Sequence, residues 1–150
     1  MIQRIQSIYF LLAGILPAFT FCVPSAGFFK NGYGYAMDAA GISNSLGETV
    51  SHPWGVMAFT VLCIVLPVIT IFRFKERLAQ IKMANGQIVS LLLLYITTGV
   101  YAYAFARHGN MSMYADWGLV FPALSLLFTW LGRRAVCHDE ALVRAADRIR

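Results

Sequence analysis

With 59% apolar and only 13% charged side chains in 150 residues, this chain is far oilier than a water-soluble domain, in which charge approaches a quarter of the residues. The mean hydropathy of +0.64 and four apolar runs leave no room for a separate soluble domain of the usual ~50 residues or more. The formal net charge of +5 does not require nucleic acid, because the basic residues sort by loop and match the demand of anionic lipid head groups.

The first run covers residues 5–23, preceded by Arg4. Pro24 before Ala26 and Phe21 before Cys22 spoil the two usual cleavage patterns, so a retained anchor is expected rather than a signal peptide. Ile2, Ile5 and Tyr9 share one helical face and Gln3 and Gln6 another, which starts the helix in the interface. Pro17 should kink it, and Pro24 with Gly27 should end it.

Residues 27–53 form the one sizeable outer segment. Asn31-Gly32, flanked by Phe28, Phe29, Tyr33 and Tyr35, is a two-residue hairpin signal; the alternative is a loop whose aromatics rest among head groups. Residues 38–50, rich in Gly, Ser and Asn, read as turn or short helix. Ser51 or His52, before Pro53, reads as the N-terminal cap of the second span.

Residues 54–72 and 88–106 are each free of charge over 19 positions, enough at 1.5 Å per residue to cross about 30 Å of hydrocarbon. Arg73, Lys75, Arg77 and Lys82 separate them. The second span is expected to continue past the membrane through Leu78, Ile81 and Ala84, and to stop at Asn85-Gly86. The third carries a polar stripe of Gln87, Ser90, Thr97, Thr98 and Tyr101. The fourth, residues 114–132, presents Gly118, Pro122, Ser125, Thr129 and Gly132. Such faces pack helices together or line a cavity, here with Ser90, Thr97, Thr98 and Tyr101 as its candidate lining.

The tail, residues 133–150, ends in a helix with Asp139 and Glu140 in its first turn and arginines in its last, which complements the helix dipole. Glu140 with Arg144 and Asp147 with Arg150 fall at pairing distances, and Leu142, Ala145, Ala146 and Ile149 make a narrow apolar stripe. Such a helix could lie on lipid, fold back, dock a partner or remain solvated. Ten of the 12 basic residues (Arg4, Arg73, Lys75, Arg77, Lys82, Arg133, Arg134, Arg144, Arg148, Arg150) fall on one side of the four spans, against Lys30 and Arg107 on the other. That asymmetry predicts both termini in the cytoplasm.

Chemistry is sparse. Cys22, Cys63 and Cys137 form no C-x-x-C, and His52, His108, Glu48 and Asp116 share no metal-ligand spacing. No nucleophile motif or phosphate loop occurs, and no ionisable group lies within the spans, so coupled transport, catalysis and a cofactor are not expected. Arg107 and Asp116 are expected to pair across the loop between spans three and four.

Three stretches, Met1-Ile-Gln-Arg-Ile-Gln-Ser-Ile-Tyr9, Phe74-Lys-Glu-Arg-Leu-Ala-Gln80 and Asp139-Glu-Ala-Leu-Val-Arg-Ala-Ala-Asp-Arg-Ile-Arg150, together resemble a family of uncharacterised four-span inner-membrane proteins of Bacteroidetes. The resemblance runs end to end, departs at Ala79, and carries no assigned activity. It implies that Arg4, Gln6, Arg77, Gln80, Arg144, Asp147 and Arg148 gather on the cytoplasmic side. The sequence thus predicts an all-α, four-transmembrane-helix bundle. Its expected role is that of an accessory or scaffold subunit engaging a protein partner at that face; the alternative is a binder of a small lipophilic molecule.

Overall fold

A computed structural model describes residues 2–30, 32–73 and 76–147, with side chains for all of these except 2–4, 144, 146 and 147. Four helices dominate: α1 (Ile2–Ala18), α2 (Trp54–Phe72), α3 (Arg77–Gly109) and α4 (Val120–Asp147). Each packs on two others, α1 and α3 both lying against α2 and α4. Three helical stretches, Trp54–Phe72, Arg77–Gly109 and Trp117–Val143, are long and apolar enough to cross a membrane. The first apolar run is shorter: α1 has 17 residues and closes in a 3-10 turn at Phe19–Phe21.

The surface of these helices is inverted relative to a water-soluble fold. Ile8, Leu11 and Ile15 on α1, Val61, Val65 and Ile69 on α2, Leu92, Ile96 and Val100 on α3, and Leu124 and Leu127 on α4 are exposed. Thr60, Thr70, Gln80, Gln87, Ser90, Thr98, Ser125 and Thr129 are buried. Small and polar side chains at the seams let helices approach closely, and an apolar exterior of this extent suits an apolar surround.

An all-α architecture is not what the chain adopts. Five short strands form an antiparallel sheet over one end of the helices, in the order β4-β3-β2-β1-β5: β1 (Ala26–Lys30), β2 (Tyr33–Met37), β3 (Ile42–Asn44), β4 (Thr49–Ser51) and β5 (Ser112–Ala115). The hairpin at residues 28–35 is present, with Phe28 opposite Tyr35 and Gly32 at φ +87°, the left-handed conformation that glycine adopts without strain. Residues 38–50 form a second hairpin instead of a short helix. Asp38 Oδ1 accepts from the Ala40 and Gly41 amides, and Asn44 Oδ1 from those of Leu46 and Glu48, so side chains supply the turn's bonds. The inner face of the sheet buries Phe28, Met37 and Ile42 with Leu94 and Ala102 of α3 in one core. The Phe28 and Tyr35 rings stand edge-on to Phe105, at 5.0 and 5.9 Å.

Three helix limits differ from the sequence expectation. The segment from Arg77 to Gly86 belongs to α3, not to an extended second span, because a turn at Arg73 closes α2. Asn85-Gly86 does not stop the helix: a mid-helix glycine costs only ~1 kcal/mol, and buried positions at Gln80, Ala84, Gln87 and Leu91 carry the packing through it. The fourth run does not begin as helix. Residues 112–115 pair with β1, Asp116 accepts from the Trp117 amide, and α4 then runs unbroken from Val120 into the tail. Pro53, not Ser51 or His52, occupies the cap position of α2, and His52 turns instead to the Ala40 carbonyl at 3.1 Å.

Candidate functional site

Two ends of the molecule can be distinguished. The sheet end carries β1 to β5; the turn end carries the close of α2 at Arg73, the start of α1 and of α3, and the finish of α4. Helices read from sequence as separate spans meet most specifically at the turn end.

There, Gln6 on α1 donates from Nε2 to Asp139 Oδ2 on α4 at 2.9 Å, across 133 positions. Arg77, the first residue of α3, donates from Nη1 to the backbone carbonyl of the same Asp139 at 3.3 Å. One bond reaches the Asp139 side chain and the other its backbone carbonyl, so this junction ties α1 and α3 to a single residue of α4. Behind it, the buried Gln80 donates from Nε2 to the Thr70 carbonyl at 3.1 Å. Thr70 lies in the last turn of α2, where carbonyls have no helical partner, so Gln80 closes that helix from its neighbour. Arg133 Nε reaches Asn85 Oδ1 at 2.6 Å, and Arg73 pairs with Glu76 at 3.1 Å on the exposed turn.

Beside this junction an open groove of about 680 Å³ is lined by Glu76, Arg77, Leu78, Ala79, Lys82, Glu140 and Val143. It is bordered by both signs of charge with an apolar strip between. Of the residues expected at this face, Gln6 and Arg77 converge on Asp139, and Gln80 is buried behind them. Arg4, Arg144 and Asp147 stand on α1 and α4 with side chains outside the described residues, and Arg148 lies outside them altogether. Asp139 is the residue that sequence reasoning passed over as a dipole-complementing acid; its signal was its place at the head of the tail motif.

The polar stripe of α3 is turned largely onto its own backbone. Ser90, Thr97 and Thr98 donate to the carbonyls of Gly86, Leu93 and Leu94, at 2.9, 2.8 and 2.8 Å. The Tyr101 ring lies against Gly55, where an added Cβ would stand 3.1 Å from Cε2. Thr98 borders an apolar recess of about 170 Å³ at the sheet end, with Tyr95, Gly99, Ala102, Met113 and Tyr114 around it.

Two other buried polar groups answer the prolines. Pro67 has no N–H for the Cys63 carbonyl four residues back, and Gln87 Nε2 takes that carbonyl at 2.9 Å. Pro17 leaves the Ala13 carbonyl in the same state, and Ser125 Oγ of α4 donates to it at 2.6 Å. Both carbonyls freed by a proline are therefore satisfied by a neighbouring helix.

At the sheet end the candidate ligands stay apart. His52 holds Ala40, His108 bonds the Ala104 carbonyl of its own helix, and Asp116 caps Trp117. Arg107 donates to the Tyr103 hydroxyl at 2.9 Å rather than pairing with Asp116. Among the described residues no three His, Cys, Asp or Glu side chains could hold a metal ion.

The sequence matches, over residues 2–149, the family described as "Domain of unknown function (DUF4293)". No curated protein matches the chain.

Proposed function

The chain belongs to this family of unknown function, and we propose that it is a non-enzymatic accessory or scaffold subunit of the bacterial inner membrane that engages a protein partner at its turn end. In this reading α1, extended by its 3-10 turn, serves as a fourth span beside the three longer helices. The ten-to-two distribution of basic residues then sets the turn end in the cytoplasm.

The observation that carries the proposal is the junction at Asp139. The N-terminal turn, the inner loop and the tail, which also bear the family-like sequence, are locked together there through Gln6 and Arg77. The adjoining groove offers Leu78 and Val143 for apolar contact, with Lys82 and Glu140 at its edges. A rigid surface of mixed charge around an apolar strip is what a protein partner needs for register and affinity together.

The test is crosslinking in membranes of the full chain. A photo-reactive residue at Leu78 or Val143 should capture one recurring protein that the same residue at Met57 does not. Identical captures from all three positions would refute the proposal.

A second reading, binding of a small lipophilic molecule, has the recess at Tyr95 and Gly99 in its favour, since its lining is almost wholly apolar. A photoactivatable apolar probe that labels Ala102 or Met113 and loses both on Gly99→Trp would support it. Labelling indifferent to that change would remove it.

A further inference from the structure

At the turn end a second groove, of about 420 Å³, runs between α1 and α4 and is lined by Tyr9, Leu131, Arg134, Ala135 and His138. Its floor is apolar, formed by Leu131, Ala135 and the Tyr9 ring, which stacks on Phe128 with centroids 6.4 Å apart. Its edge carries three hydrogen-bond donors. Arg134 and His138 stand at i and i+4, on one face of α4, and Tyr9 lines the same groove from α1. The Arg134 guanidinium rests over the Trp130 ring, 5.6 Å from its centroid, which orients the fork while leaving its N–H groups free to point outward. No carboxylate lines the groove, and among the described residues none pairs with Arg134. The nearest acid in sequence, Asp139, is engaged by Gln6. Outward from Trp130, α4 continues as exposed Leu127 and Leu124.

We propose that this groove is a binding site for one anionic phospholipid. The phosphate sits between Arg134 and His138 with the Tyr9 hydroxyl as third donor, and an acyl chain lies over Leu131 and down the Leu127–Leu124 face. Charge selects the head group. A bidentate guanidinium with two further donors matches a phosphate, whereas the choline ammonium of a zwitterionic lipid adds a positive charge beside Arg134 that no carboxylate of the lining offsets. The inference rests on the membrane reading above, but not on any protein partner.

The test uses the full chain reconstituted into nanodiscs of phosphatidylcholine alone or mixed with phosphatidylglycerol, extracted into detergent, and weighed by native mass spectrometry for retained lipid. The wild type should retain phosphatidylglycerol about tenfold over phosphatidylcholine, because the phosphate is common to both and only the choline brings a positive charge against Arg134. Arg134→Gln combined with His138→Gln should abolish the preference, and Arg107→Gln, which removes one positive charge at the sheet end, should leave it intact. Should the double variant fail to fold, Arg134→Lys, which keeps the charge and loses the fork, should lower the preference several-fold. Equal retention of both lipids by the wild type, or equal loss in Arg107→Gln, would overturn the proposal. So would stabilisation of the detergent-purified chain by inorganic phosphate to the same degree, which would mean a free-anion site. A chain embedded in the disc without lipid preference defeats this proposal alone; a chain that never enters the disc defeats the membrane reading with it.

Discussion

Gln87 donates its side-chain amide to the Cys63 carbonyl at 2.9 Å, and that carbonyl is the one Pro67 deprives of its helical partner. The buried polar residue and the proline are therefore two halves of one arrangement. Neither makes sense alone in an apolar seam.

Gln87→Leu should lower stability by ~1–2 kcal/mol, since it leaves a buried carbonyl without a donor. The loss falls at the lower end because Gln87 Oε1 is itself buried without a partner in the native arrangement. Adding Pro67→Ala should recover much of the loss, because alanine returns the N–H to Cys63. Thermal unfolding followed by tryptophan fluorescence in detergent measures both; additive losses in the double variant would show the two residues to be uncoupled.

The same logic applies across α1 and α4. Ser125→Ala should cost ~1–2 kcal/mol by orphaning the Ala13 carbonyl, and Pro17→Ala should make the chain indifferent to the change at Ser125. A full cost persisting in the Pro17→Ala background would refute the pairing.

At the turn end, Asp139→Ala and Gln6→Ala should each lower stability by ~1–3 kcal/mol, with a coupling of at least ~0.5 kcal/mol between them. Asp139→Asn keeps a carbonyl acceptor for the Gln6 amide and should recover part of the loss. Proteolysis of the tail in the Gln6→Ala variant gives a second readout, since α4 is tied to α1 there.

Glycines separate cleanly by surroundings. A Cβ on Gly118 would stand 2.5 Å from the Pro24 oxygen and 2.6 Å from that of Val23, both backbone, where the Gly118 amide already bonds Pro24 at 2.8 Å. Gly118→Ala should therefore destabilise by ~1–3 kcal/mol or more. Gly86 meets nothing within 4 Å and lies inside α3, so Gly86→Ala should stabilise by ~0.5–1 kcal/mol. At ~2–4 °C per kcal/mol for a chain of this size, opposite shifts in melting temperature distinguish them.

The long apolar helices could be read from charge-free length, because a run of 18 or more such residues is a strong signal by itself. The first hairpin could be read from Asn31-Gly32 because few residues tolerate a positive φ. The remaining strands could not. β3, β4 and β5 are three or four residues each, too short to show alternation, and β5 finds its partner far off: Ala26 pairs with Ala115. Met113, Tyr114 and Trp117 are apolar enough to pass as the start of a span, yet they are exposed at the sheet end. At the candidate site the sequence pointed to Gln6 and Arg77 through resemblance, but not to Asp139 as their common partner, since that contact joins residues on three helices. The polar stripe of α3 was legible as a pattern only. Which carbonyl each hydroxyl or amide takes depends on helix rotation, which spacing does not record.

The helices' unequal lengths carry one more consequence. At 33 and 28 residues, α3 and α4 are about 50 and 42 Å long, while a bilayer's oily layer is about 30 Å thick. Both stop at the strands on one side, so in the membrane placement proposed above their surplus emerges together on the other, as a pair of stiff posts. Under that proposal, a partner docked on those posts is held at a set height above the lipid phosphates.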